Sequence, residues 1–189
     1  MPKRLFSLIM TVAFVALTLL GCHDTKKGGV LPVIKVDDVA ENVQVGDSTV
    51  YGECVDAAMN SVSILTSSGD TINYVFNNMD GDTDVQGGMF MGDKMAVIGY
   101  AGKEQNTAQK VINITSLLGR WISLDKNFEI KDGGVVESSV AAESNPYTSW
   151  KIFNGRLVLS KDTFDVLNLG PDSLLLENEK GIFAFKRQV

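Results

Sequence analysis

The side chains able to do chemistry in this chain are few. There is one histidine, His23, and there are two cysteines, Cys22 and Cys54. A Ser-His-Asp or Cys-His arrangement needs a base beside its nucleophile. His23 is the only imidazole on offer, and it sits at the end of an apolar segment. A zinc or copper site needs three or four nitrogen and sulfur ligands, which this inventory does not supply. The stretch "NNMDGDTDVQGG" spaces Asp80, Asp82 and Asp84 as positions 1, 3 and 5 of a calcium loop. That register puts Val85 where the sixth position needs Gly and Met91 where the twelfth needs Glu. The register from Asn78 fails too, with Thr83 and Met89 at those positions. The stretch reads as a solvated acidic loop between strands. Gly87-Gly88 and Gly133-Gly134 lack the Lys-Ser/Thr of a phosphate loop and read as turn glycines. A carboxylate pair stays open among 23 acids. The expectation is a non-enzyme with no catalytic residues, no metal and no cofactor.

The aromatics are the remaining chemical feature. Tyr100, Tyr147, Trp150 and Phe153 are candidates for lining a pocket for an apolar ligand or a sugar, with Trp150 read first as core. Cys54 lies in a strand-like stretch and reads as a small buried hydrophobe.

Lys3 and Arg4 precede an uncharged run, Leu5 to Leu20, which has the pattern of a signal-peptide core and is short of the roughly 20 residues of a membrane span. It closes on Leu19-Leu20-Gly21-Cys22. These four residues resemble the lipobox of bacterial lipoproteins. The resemblance implies cleavage after Gly21, a diacylglycerol thioether on Cys22 and a third acyl chain on the new amine. Two or more chains anchor stably. His23, where inner-membrane retention often uses Asp, favours the outer membrane, with the protein facing the periplasm or the exterior. With Cys22 lipidated, Cys54 has no intrachain disulfide partner.

Removing residues 1–21 leaves 15 Lys and Arg against 23 Asp and Glu, a net charge of −8 on 168 residues. That balance argues against nucleic acid as a partner. The expected partners are the membrane through the N-terminal lipid, and a small apolar or glycan ligand or an envelope protein. Residues 22–46 read as the lipidated N-terminus and a tether. The 15 residues from Cys22 to Asp37 would reach roughly 50 Å if extended.

Beyond residue 46 the pattern is strand and turn. "VSILTS", "TINYVF", "MAVIGY" and "KVINIT" are β-rich runs. "TSSGDT" reads as a hairpin turn, and Ile72, Tyr74 and Phe76 alternate onto one face. "TSLLG", residues 115–119, reads as one helical turn. Asn154-Gly155 predicts a type I′ hairpin. That turn pairs Phe153 with Arg156, Ile152 with Leu157 and Trp150 with Leu159. Trp150, Ile152, Leu157 and Leu159 then share an apolar face, and Phe153 lies on the polar face as a candidate contact surface. Turns at Pro171-Asp172 and Lys180-Gly181 leave Leu174, Leu176, Phe183 and Phe185 facing the core.

"LLGRW" and "FDVLNLGPDSLLLENEKGIFAFKR" resemble the Gly-x-Trp entry and closing hairpin of a lipocalin-like domain over about residues 116–189. The resemblance implies that Gly119, Trp121 and Arg187 are structural, with Arg187 packed across Trp121 at the barrel base. About 70 residues is short for a roomy calyx. The first half, with "VYGECVDAAMNSVSILTSSGDTINYVF" and "GGMFMGDKMAVIGY", resembles a small OB-like barrel. The expected fold class is all-β, an OB-like barrel over residues 47–114 followed by a lipocalin-like antiparallel barrel or meander over residues 115–189. The two-barrel copper-resistance and stress-sensing lipoproteins are an architectural parallel, without their CxxC. A packed barrel acting only through protein contacts is the alternative to ligand binding.

Overall fold

Short β-branched and aromatic runs broken by Gly, Asn and Asp leave this chain little choice but antiparallel strands. The computed structural model describes residues 46–77, 83–139 and 145–188. The lipobox with Cys22, the tether, and Asp80 and Asp82 lie outside the described residues.

The first sheet begins as a meander, β1 (Val50–Ala58), β2 (Ser61–Thr66) and β3 (Thr71–Phe76). The turn between β2 and β3 is closed by Gly69 N–H donating to Thr66 O at 3.0 Å. A three-residue strand, β4 (Asp84–Gln86), precedes the hairpin of β5 (Lys94–Ala101) and β6 (Asn106–Asn113). β5 pairs with β1, and β3 pairs in parallel with β6 from Tyr74↔Asn106 to Phe76↔Ala108. That last pairing closes β3-β2-β1-β5-β6 into a five-stranded barrel. Cys54, Val62, Ile64, Tyr74, Met95, Val97, Ala108 and Val111 fill it.

The acidic stretch differs from its reading as a loop throughout. Asp84–Gln86 is a strand, parallel to β6 on one side. The side chain of Gln86 completes its other side, accepting from Leu169 N–H at 2.8 Å. Three residues carry too short a pattern to show a strand that is stabilised by side-chain bonds.

One helical turn, α1 (Ile114–Leu117), follows β6 directly. It starts one residue earlier than expected, because the buried Asn113 side chain caps it by accepting from Ser116 N–H. Gly119 opens a strand rather than closing the turn.

The second sheet comprises β7 (Gly119–Ile122), β8 (Asn127–Lys131), β9 (Val135–Ser138), β10 (Trp150–Phe153), β11 (Arg156–Leu159), β12 (Asp162–Leu169), β13 (Ser173–Asn178) and β14 (Gly181–Gln188). Its order is β10-β11-β12-β13-β14-β7-β8-β9. The two outer strands nearly meet, through a Val135↔Ser149 bridge and Val136 N–H donating to Thr148 O at 3.1 Å. The result is a nearly closed eight-stranded barrel. The β10–β11 hairpin has the expected register, Trp150↔Leu159, Ile152↔Leu157 and Phe153↔Arg156. Asn154 and Gly155 have φ of 48° and 73°, as a type I′ turn requires.

β5 and β6 serve both barrels. Met95 and Val97 point into the first, while Ala96 and Ile112 join the core of the second with Ile114 and Leu117. A strand buried on both faces reads as a continuous apolar run, which is why "MAVI" does not alternate. The two barrels belong to one compact unit.

Candidate functional site

The base of the second barrel is built around Trp121, which is fully buried and donates from Nε1 to Leu117 O at 2.9 Å. Arg187 Cζ lies 4.2 Å from the centroid of the Trp121 ring. The guanidinium donates to three carbonyls, those of Pro171, Leu118 and Ser116. Burial lowers the Arg187 pKa from its ordinary value, with Asp172 acting the other way. A group so basic stays cationic at neutral pH. Gly119 stands at φ +129°, and a Cβ there would lie 2.5 Å from Arg187 Nη1. The three residues singled out in the sequence therefore meet in one place. Their chemistry is structural: an arginine plugs one end and bonds the carbonyls exposed there.

Among the described residues, side chains of the protein itself pack through the barrel interior. Phe128 meets Tyr147 edge-on at 5.4 Å and Phe185 at 5.2 Å between centroids. Phe164 meets Phe183 at 5.6 Å and Tyr147 at 6.4 Å. Ile130, Ile152, Leu157, Leu159, Leu174 and Leu176 pack around these rings and are fully buried.

With residues 113–188 the geometry has a match. This part of the chain matches a lipocalin-like family model. The match to that family model runs from the Asn113 cap to Gln188. No curated protein and no solved structure matches the chain. A lipocalin-like β-barrel fits a binding role.

Among the described residues, two openings lie outside the lipocalin-like interior, where the two barrels adjoin. One hollow of about 390 Å³ is lined by Tyr51, Glu53, Leu65, Ser67, Lys94 and Ile114, among others. A second of about 270 Å³ is lined by Tyr51, Lys94, Ile114, Asp132, Trp150 and Lys151, among others. They share Tyr51, Lys94 and Ile114, so the two hollows, both open to solvent, adjoin in a groove.

Local structure fixes the groove's side chains. β1 alternates Val50, Gly52 and Cys54 inward, so Tyr51 points out. Its hydroxyl donates to Ile152 O on β10, the outer strand of the lipocalin-like barrel. Burial pushes the Tyr51 hydroxyl up, and the Asp47 charge adds to the effect, so it remains a donor at neutral pH. Trp150 packs its inner side on the core and donates from Nε1 to Lys131 O at 2.6 Å. Both rings are thus held by their polar ends. Lys94 and Asp132 pair across the groove between the two barrels. The hydrogen bond from Lys94 holds the Asp132 carboxyl below the usual carboxylate range.

The four aromatics expected to line a pocket are not brought together. Trp150 is core on one side and groove on the other. Tyr147 is buried and borders a separate cleft of about 540 Å³ with Pro146, Ser160 and Lys161. Phe153 is half-buried with Lys151 Nζ 4.8 Å from its ring. Tyr100 is exposed on the first barrel. Of the acidic triplet, only Asp84 is described. It pairs with Lys110 at 2.8 Å and accepts from Gln86 Nε2. Tyr51, Lys94 and Asp132 were not anticipated. The signal for Tyr51 is an aromatic on the outward phase of a strand, and the pairing of Lys94 with Asp132 leaves none.

Proposed function

We propose that this chain is a non-enzymatic binding protein of the bacterial envelope, tied to the outer membrane through lipid on Cys22, and that it holds its ligand outside the barrels. The observation that carries the reading is the filled interior of the lipocalin-like barrel. Among the described residues, Phe128, Phe164, Phe185 and the leucines around them pack into one buried cluster inside that barrel. Close-packed interiors admit no guest without displacing side chains. Binding then falls to the surface, and the groove at Tyr51 and Trp150 is the concave part of it where fixed rings and polar groups converge.

The first barrel is OB-like in this reading. Its strand order β3-β2-β1-β5-β6, closed by parallel β3–β6 pairing, supports that. The Leu19-Leu20-Gly21-Cys22 motif supports the lipid anchor.

Native mass spectrometry of the full lipidated chain, before and after denaturing extraction, tests the proposal. A bound mass that Tyr51→Ala releases supports it. A bound mass that survives Tyr51→Ala, and disappears only on unfolding, would place the ligand inside a barrel and overturn it. For the anchor, palmitate label on the wild type should vanish in Cys22→Ala.

A further inference from the structure

We propose that the groove between the barrels is a glycan-binding site, with Tyr51 and Trp150 as stacking platforms. The inference rests on the surface-binding reading above and names its ligand class.

The argument starts from the rings. Tyr51 and Trp150 line the same hollow. Each has its polar atom committed to a backbone carbonyl, Tyr51 to Ile152 and Trp150 to Lys131. What remains for a ligand is ring surface, in an orientation already set. A pyranose offers a matching surface. Its axial C–H bonds form an apolar face with partial positive charge, which suits the negative face of an aromatic ring. Because the rings are already held, little rotamer freedom is lost on binding.

The polar lining suits the other half of a sugar. Glu53, Ser67 and Lys94 line the first hollow, and Lys94, Asp132 and Lys151 line the second, beside Tyr51 and Trp150. Together they offer donors and acceptors with the charges balanced: two cations, two anions and a hydroxyl. Hydroxyl groups, each both donor and acceptor, can use all of these. A formally charged ligand gains no net attraction here.

A peptide is served less well. The usual extended-peptide mode adds a strand to a free sheet edge. β1 is already paired with β2 and β5 at this groove, and Ile152 O on β10 is taken by Tyr51. A purely apolar guest would leave the Lys94–Asp132 pair at the second hollow unused.

The chain carries a built-in reporter. It has two tryptophans, and Trp121 is fully buried under Arg187. A change in tryptophan emission on binding therefore reports Trp150. The experiment titrates the full lipidated chain, in a detergent without a sugar headgroup, with maltohexaose, xylohexaose, laminarihexaose and chitohexaose. At least one is expected to shift the emission saturably. Tyr51→Ala, read by emission, and Trp150→Phe, read by isothermal titration calorimetry because it lacks the reporting ring, should each weaken that oligosaccharide roughly tenfold. Tyr51→Phe keeps the ring, so it should retain binding and guards against a merely unfolded Tyr51→Ala. Leu124→Ala, at an exposed turn away from the groove, should change nothing.

Absence of saturable binding by all four sugars overturns the glycan assignment, as does binding indifferent to both ring variants. A photo-crosslinking residue at position 67 separates the two levels of the argument. A protein captured there in cells, without glycan binding, ends the glycan inference and leaves the surface-binding reading standing. A co-purifying mass indifferent to Tyr51→Ala ends both.

Discussion

Arg187 Cζ sits 4.2 Å from the centroid of the Trp121 ring, and Gly119 is the residue that lets it do so. The three positions form one closure. Trp121 fills the barrel end, Arg187 covers it and bonds the carbonyls of Leu118, Ser116 and Pro171, and Gly119 leaves room for Nη1.

Gly119→Ala tests the closure at its tightest point. The new Cβ would meet Nη1 at 2.5 Å, and alanine at φ +129° is strained whatever the space. The guanidinium must move off Leu118 O to relieve the clash. The expected loss is about 2–3 kcal/mol, the sum of backbone strain and a weakened charge-assisted bond. Urea unfolding followed by circular dichroism measures it, and a loss within ±0.5 kcal/mol, roughly the level of a neutral surface substitution, would show that the closure is soft.

Arg187→Lys asks whether charge or shape matters. An ammonium keeps the charge but lacks the planar fork that reaches three carbonyls from one position. The expected cost is about 2 kcal/mol. The companion variant is Arg120→Lys, an exposed partner of Glu129 at 3.2 Å. Pairs of that kind contribute little, so its cost should stay below about 0.5 kcal/mol. Equal effects at the two sites would mean that Arg187 contributes charge alone.

Much of this closure is legible in the sequence, and the groove is not. Gly-x-Trp and a late arginine are legible only through their resemblance to the lipocalin-like pattern. The β10–β11 hairpin is legible from its own residues: Asn154-Gly155 sets the turn, and Trp150, Ile152, Leu157 and Leu159 then take one face. The groove depends on outward-facing residues from distant strands. Tyr51 looks like any exposed strand tyrosine until β10 is placed beside it, and Lys94 finds Asp132 only through the tertiary fold. β4 escapes for another reason. Its second edge is completed by the Gln86 side chain, bonded to Leu169, 83 residues away, and by Gly87 N–H donating to Leu169 O at 3.0 Å.

Asn113 is the polar hub where the barrels join, and it is fully buried. Its Nδ2 donates to Gly87 O, Gly88 O and Asp93 Oδ2, while Oδ1 caps α1 at Ser116 N–H. Asn113→Ala strands these groups without water and should cost about 2–4 kcal/mol. Asn113→Asp preserves the cap but sets a second carboxylate against Asp93, 2.7 Å away in the native pair. It should be strongly destabilised at neutral pH and recover part of that loss on acidification, as one of the two carboxyls takes a proton. Urea midpoints at two pH values distinguish this from simple loss of the side-chain amide, which would be insensitive to pH.

Alkaline pH should loosen the first barrel. Burial pushes up the Cys54 thiol and the Tyr74 and Tyr51 hydroxyls, from ordinary values of 9.0 and 10.0. In each case the folded state holds its proton more tightly than the unfolded chain does. The stabilisation is therefore fully present below the ordinary values. It is lost as pH rises past them, because the unfolded state deprotonates first. Cys54 and Tyr74 lie in the core of the first barrel, and Tyr51 bridges from it to Ile152. Denaturant midpoints should fall as the pH passes 9.0 and fall further above 10.0. Tyr51→Phe removes one of the three groups and should flatten the steeper part of that decline. An unchanged slope would mean that the Tyr51 hydroxyl is as accessible to base in the folded protein as in the unfolded chain, which would contradict its bond to Ile152.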